Sequence, residues 1–354
     1  MNIKIHSSEL NRMLRIVSQC IDQRFAAHSN IEIVWDNNLL TMRGTNGSVF
    51  GTVSSPLLGG DGESFSVDGT MLAKVCSMCS GEVEIRTDSK SCVIKGAGRT
   101  RLPIVNANVA KQNRVTGKKV TVSEDSLSKG YNSVAYAVSA DQSRIQLTGV
   151  LAEVENNCMR MVALDGFQMS METIECDGDD MKVIIPGSFL KLVIQGAGTG
   201  EQIMLCTDGT RMEASTDSMI LSCGLLAGEY PDYNRIMPTG FKTECMVNAD
   251  ELMSALKSGS VINSKQNLVK LEIADDSIMV RNNSEEADYE ADVPCEIHGY
   301  GLKIAFNQKY LLNTINAIST GSVVMKFISS VSPCILQGKG EDGIRLLLPV
   351  RVQG

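Results

Sequence analysis

Along Arg144–Met171 (RIQLTGVLAEVENNCMRMVALDGFQMSM) apolar positions recur without strict alternation, and the stretch reads as three short strands. Ile145–Val154 is closed by Glu155-Asn156-Asn157, Met159–Leu164 by Asp165-Gly166, and Phe167–Met171 follows. Asn, Asp and Gly accept the positive φ that tight hairpins need. Leu147, Val150, Leu151, Leu164, Phe167 and Met169 occupy both faces of the pleat. A strand wetted on one side alternates, whereas one covered on both sides does not. Something besides the domain's own core therefore covers part of this sheet, either a helix layer or a partner's peptide. The methionine-rich composition around it suits an adaptable surface.

A second pattern is repetition. A short strand (Ile3–Ile5), the polar phrase Ser7-Ser8-Glu9 and an amphipathic helix from Leu10 through Val17 open the chain. Ser followed by Glu ahead of a periodic apolar run predicts a helix N-cap. The phrase returns as Lys119–Val122, Ser123-Glu124-Asp125-Ser126 and a helix Leu127–Val138. It returns again as Glu244–Val247, Asn248-Ala249-Asp250-Glu251 and a helix from Leu252. Second halves repeat too. Phe65–Val67 leads to a helix Gly69–Met78 and a strand Val83–Arg86; Val183–Ile185 leads to Gly187–Ile194 and Gln202–Cys206; Ile304–Phe306 leads to Gln308–Ile318 and Val323–Phe327. Leu72, Leu190 and Leu311 fall in register, as do Gly81, Gly200 and Gly321, read as helix stops. Two phrases per copy, three times in one order, predict a threefold α+β repeat with two helices and roughly eight strands per copy. Periodicity lapses near Asn113–Lys118 and Met237–Lys242, giving expected domains 1–115, 116–241 and 242–354.

Composition narrows the class. A 354-residue chain with 43% hydrophobic and 21% charged residues is long enough for two or three cores. No apolar run approaches the roughly 20 residues of a membrane helix, and MNIKIHSSEL lacks signal-peptide shape, so a cytoplasmic location is expected. Eleven cysteines without framework spacing fit reduced thiols. A net charge of −8 argues against a general nucleic-acid binder, yet a local basic surface survives a negative total.

The pieces LTGV, ALDGFQMS, GEYPDYNRIMP and the terminal LLLPVRV, on three such repeats, resemble the bacterial sliding clamps, the β subunits of DNA polymerase III. The family usually reads TGV, ATDGHRLA, GEFPDY and a tail ending near MPMRL. Here Leu164 stands for Thr, Phe167 for His, Gln168 for Arg and Met169 for Leu, and the tail adds Gln353 and Gly354. That marks a divergent member. The resemblance covers essentially the whole chain and implies a DNA clamp fold: three similar domains, helices inside and antiparallel sheets outside, closed head to tail with a second copy into a ring. It further implies a non-catalytic processivity factor that encircles duplex DNA without reading bases. Polymerase, clamp loader and repair proteins would dock short apolar peptides into a cleft between the second and third domains. Carried over by position, that cleft is Leu147, Leu164, Gly166, Phe167, Gln168, Met169, Pro231, Arg235 and Ile236. The third domain adds Tyr310, Val331, Pro333, Leu346, Leu348, Pro349, Val350 and Arg351.

For the ring junction, the first-domain segment Lys95–Ile104 offers Lys95, Arg99, Arg101, Leu102 and Ile104. The third-domain segment Ser284–Asp292 offers Glu285, Glu286, Asp288, Glu290 and Asp292, and Val261 joins them. Opposite charge at the two ends suits a head-to-tail dimer. Candidate phosphate contacts on the helical segments are Arg12, Arg15, Arg24, Lys74, Lys129, Lys191, Lys257 and Lys309, with Arg24 at a family DNA-contact position and Arg144 near another. Acids on the same segments (Glu9, Asp22, Asp68, Glu124, Asp125, Asp250, Glu251) nearly cancel them but cluster at helix N-termini. The basic residues usual after Val183–Pro186 are replaced by Gly187 and Ser188, which implies thinner DNA contact.

Catalytic chemistry is not expected. Cys76-Ser-Met-Cys79 sits in a predicted helix with no second pair to complete a zinc site, and His6, His28 and His298 match no metal or triad spacing. Ile194–Gly200 (IQGAGTG) follows a helix and precedes a strand, the reverse of a phosphate loop. No cofactor, metal or membrane partner is expected. Two other readings stand beside the clamp: a clamp-shaped protein scaffold that does not productively encircle DNA, and a thiol-redox enzyme using Cys76 and Cys79.

Overall fold

The computed structural model describes residues 2–25, 28–57, 61–96, 98–106, 109, 113–262, 267–274 and 276–351, with backbone alone at 61–63. Gln353 and Gly354 lie outside them. Among the described residues are six α-helices: α1 (Ser7–Val17), α2 (Gly69–Ser77), α3 (Glu124–Val134), α4 (Gly187–Gly196), α5 (Ala249–Ser260) and α6 (Gln308–Asn316). Every strand pairing is antiparallel.

The repeat is visible in single hydrogen bonds. Each copy's first helix opens with its N–H bound to the loop before the copy's second-half strand: Ser7 N to Gly81 O (2.8 Å), Glu124 N to Glu201 O (2.8 Å) and Ala249 N to Gly321 O (2.9 Å). Gly81 and Gly200 take φ of 69° and 72°, but they lie beyond the ends of α2 and α4. These glycines thus open the next strand rather than cap the helix. Leu72, Leu190 and Leu311 are fully buried, as their shared register predicts.

Caps differ from the sequence reading in one place. Asp68 accepts from Met71 N, Ser123 from Ser126 N, Asn248 from Asp250 N and Glu251 N, and Asn307 from Lys309 N and Tyr310 N. The first helix is capped instead by the His6 ring, which accepts from Ser8 N at 3.3 Å, because Ser7 is drawn into the buried first turn. Gly130, inside α3, lets that helix approach its sheet: a Cβ there would sit 2.7 Å from Met161 Sδ.

By contacts the chain divides into two compact units. One holds residues up to Leu127 with Cys176–Asp180 and Ser188–Leu225; the other holds Ser128–Glu175, Met181–Gly187 and everything from Leu226. The physical reason is strand pairing across repeats. In the first unit, Val49–Pro56 of repeat one pairs with Met219–Gly224 of repeat two, inside a nine-stranded sheet. In the second, Gln168–Glu175 of repeat two pairs with Ile344–Leu347 of repeat three, inside a twelve-stranded sheet. The middle repeat is thus divided between its neighbours' sheets.

Candidate functional site

The hairpins around Asn156 and Gly166 form as their residues require. Asn156 and Asn157 take φ of 53° and 60°, and Gly166 takes 97°. The strands are Gly149–Glu155, Cys158–Leu164 and Gln168–Glu175. The expected start at Ile145 is corrected. Gln142–Thr148 is a 3-10 turn begun by Asp141, whose carboxylate accepts from Ser143 N at 2.9 Å. The second cover expected for this sheet is present in part within the chain itself. The chain's own connector, which that expectation did not name, covers part of the second face. Tyr230 donates its hydroxyl to Val162 O at 3.3 Å and Tyr233 to Glu153 Oε2 at 2.5 Å. The two rings complete a cluster with Leu147, Leu151, Val162, Leu164, Met169, Ile184, Ile335 and Leu346. Both tyrosines lie in the GEYPDY phrase.

The seventeen cleft residues therefore separate into floor and rim. Leu147, Leu164, Met169 and Leu346 are buried floor, and Gln168 is buried too. Gln168 offers no surface: its amide donates to Tyr136 O (3.1 Å) and Asp165 Oδ2 (3.0 Å), holding the turn. The rim is apolar and open. Phe167 is 57% and Val331 59% exposed, with Ile236, Leu348 and Val350 also exposed, and Ile145, which the motif comparison missed, beside them in kind. Phe167 stacks on Tyr310, ring centroids 5.9 Å apart at 22°. Asp165 Oδ1 fixes the turn by accepting from Phe167 N and Gln168 N, and Leu348 N donates to Phe167 O at 2.9 Å. Pro333 and Pro349 are half-buried, and Pro231 and Arg351 are exposed. Arg235 is tethered to Asp232 at 2.9 Å and Arg144 to Asp141 at 3.2 Å. Behind the rim lies a group the sequence hid: Arg345, 1% exposed, is bound to Glu172 at 3.0 Å and Glu341 at 3.2 Å. A charge between Ile344 and Leu346 in a strand gives no hint of burial.

The basic candidates also divide. Arg12 is held by Glu9 at 2.7 Å and reaches Ser54 O, and Arg15 donates to Gln195 O at 3.4 Å. Arg24 pairs with Asp22 at 2.7 Å, and that guanidinium holds the Asp22 carboxyl down at about 2. By contrast Lys74, Lys129, Lys191, Lys257 and Lys309, one on each of α2 to α6, are exposed, and none has an ion-pair partner within 4.0 Å among the described residues.

Of the ring-junction residues, Arg99 and Arg101 are exposed on Arg99–Pro103, the outer strand of a four-stranded sheet. Lys95 pairs with Glu84 at 3.0 Å, Ile104 is half-buried, and Leu102 is buried in its own sheet, which withdraws it as a contact. Glu285, Glu286, Asp288, Glu290 and Asp292 are exposed and Val261 is 86% exposed. Asp288–Gly299 is shared between two neighbours: its acidic half, Asp288–Pro294, pairs with Ser277–Asn283 alone and keeps one side unpaired, while Cys295–Gly299 pairs with Thr243–Val247.

Cys76 and Cys79 do not form a pair within one helix. Burial pushes Cys76 up to about 12, and Cys79 lies just past the end of α2 rather than in it. No group of three metal-ligating side chains occurs among the described residues. No helix among them is long and apolar enough to cross a membrane.

Repeated pairs of helices backed by antiparallel sheets that run on from one repeat into the next define a DNA clamp fold. The family models match accordingly: "DNA polymerase III beta subunit, central domain" over residues 121–232 and the "C-terminal domain" of the same subunit over 234–351. The beta sliding clamp of Pseudomonas aeruginosa is 24% identical over 371 residues, spanning 99% of this chain and all of that protein. That of Staphylococcus aureus is 27% identical over 227 residues, 61% of this chain and 59% of that one. Solved structures of the Bacillus subtilis sliding clamp (TM-score 0.91, 22% identity, both chains fully covered) and the Thermotoga maritima beta subunit (TM-score 0.92, 22% identity, 99% and 100% covered) share the fold. The chain belongs to the DNA polymerase III beta-subunit family, the sliding clamps, as a divergent member. It is a non-catalytic polymerase subunit, a processivity factor.

Proposed function

We propose that two copies of this chain close head to tail into a ring around duplex DNA in the cytoplasm. Domains 1–115, 116–241 and 242–354 of each copy supply the six similar segments. The basic strand Arg99–Pro103 of one copy meets the acidic half of Asp288–Gly299 and Val261 of the other, a charge match that fixes orientation. Five exposed lysines on α2 to α6, without an ion-pair partner among the described residues, support diffuse phosphate contact, which carries no sequence information and permits sliding. DNA polymerase, clamp loader and repair proteins dock short apolar peptides at the Phe167–Tyr310 rim. Two or three anchors at roughly 1.5–3 kcal/mol each, less ordering costs, give micromolar-scale, exchangeable binding.

The observation that carries this reading is the rim: a stacked aromatic pair and the exposed aliphatics Ile236, Val331, Leu348 and Val350 over a buried floor, on the family scaffold. The test uses nicked circular DNA. Protein loaded on the circle should stay, then run off after linearisation. Equal retention on circle and line would instead favour the scaffold that does not encircle DNA.

A further inference from the structure

The two junctions between repeats differ on their helical side. Aligning Leu10 with Leu127, and Leu190 with Leu311, sets Arg15 against Asn132, Gln19 against Tyr136, Leu192 against Asn313 and Gln195 against Asn316. At the first junction the long side chains meet. Arg15 donates to Gln195 O at 3.4 Å, and Gln19 donates to Gln195 Oε1 at 3.3 Å. At the second, the shorter asparagines leave a groove of about 450 Å³ between α3 and α6. Its lining holds Lys129 and no carboxylate among the described residues. Asn132 bonds Ser128 Oγ at 3.4 Å with one amide N–H, while the Asn313 and Asn316 side-chain amides have no hydrogen-bond partner among the described residues. Ser319, at the groove's end, is bound from behind by Glu341, whose charge Arg345 offsets at 3.2 Å. A cation beside free amide donors recognises an anionic oxygen ligand.

We propose that this groove seats one phosphodiester of the duplex, Lys129 supplying charge and the Asn313 and Asn316 amides donating to the phosphate oxygens. This rests on the clamp reading and sharpens it: contact inside the ring is then one seat per copy plus diffuse charge.

The experiment measures short-duplex affinity of the full-length dimer across a salt series. Asn313→Asp/Asn316→Asp should weaken binding about tenfold or more, since two donors become repelling acceptors. Asn156→Asp/Asn157→Asp, the same charge change at a hairpin tip, should cost less than about twofold. Should the double aspartate variant fail to fold, Asn313→Leu fills the groove with the residue of the first junction and should cost about threefold. Lys129→Ala should flatten the salt slope by about 0.9. Equal losses in seat and control variants, or a seat variant within about twofold of wild type, overturn the proposal. Inorganic phosphate at matched ionic strength should compete with duplex in wild type and less in the seat variant; phosphate that binds the groove without displacing duplex would make this a free-phosphate site and overturns the proposal. Failure of the wild type to stay on a closed circle overturns the clamp reading and the seat with it. Trapping with unaltered seat-variant affinity overturns the seat alone.

Discussion

At the first repeat junction the turn before the pairing strand is Asn46-Gly47-Ser48; at the second it is Asp165-Gly166-Phe167. Asn46 Oδ1 accepts from Ser48 N (2.9 Å) and Val49 N (2.8 Å), and Asp165 Oδ1 accepts from Phe167 N (2.8 Å) and Gln168 N (3.0 Å). The glycines take φ of 87° and 97°. The backbone device is therefore the same at both places. What differs is the residue it presents, a serine in one and an aromatic in the other. Around the first lies a cavity of about 220 Å³ lined by Phe50 and Ile220 but also by Arg43, Arg114 and Glu213. Around the second stands the apolar rim. A duplicated scaffold thus keeps its turn chemistry while side chains at a few positions decide which junction can take an apolar peptide.

Several substitutions would break or sharpen that contrast. A large effect is expected at the second junction's buried charges. Glu172→Gln leaves Arg345, 1% exposed, with Glu341 as its one remaining carboxylate among the described residues and should cost about 3 kcal/mol in chemical denaturation. Its counterpart at the first junction, Glu213→Gln, faces Arg114, whose side chain is 57% exposed, and should cost about 1–2 kcal/mol, mostly for the Val115 N–H it bonds. Equal costs would mean the two seams are held alike. Met169→Ala, a floor change, should lower stability by about 2–5 kcal/mol, so weak peptide binding in that variant would report a cavity rather than a lost contact. Phe167→Ser, copying the first junction, should weaken partner-peptide binding about tenfold in calorimetry while leaving the melting temperature within a degree or two. An unchanged affinity would place the peptide elsewhere.

Two smaller effects concern titration. Asp22 is held at about 2 by Arg24, below the unfolded value of about 3.9. Its contribution is fully present above the unfolded value and is lost only as pH falls through about 2. The difference between wild type and Arg24→Ala in duplex affinity should accordingly stay flat from pH 5 to 8. Mass mapping of brief alkylation should find exposed Cys158 modified well before buried Cys76, whose thiol is pushed up to about 12. Rapid labelling of Cys76 would revive a redox role.

Periodicity made the repeats, six helices and hairpin turns legible, because caps, glycines and leucines recur locally. Local signals end where distant residues meet. Nothing near Arg345 announces Glu172, and Gln168 aligns with a cleft position while its amide is spent on Tyr136 and Asp165. The acidic segment's charge was legible, but not that the same strand runs on past its unpaired acidic half to pair with Thr243–Val247. The lack of alternation around Leu147–Met169 correctly signalled a second cover but could not tell that Tyr230 and Tyr233 of the same chain supply it.

The middle repeat gives Gln168–Glu175 to one neighbour and Met219–Gly224 to the other. Excising it would bare a row of unpaired amides and carbonyls on each remaining piece, an invitation to aggregate. A lineage that arrived at three copies by duplication cannot easily go back to two.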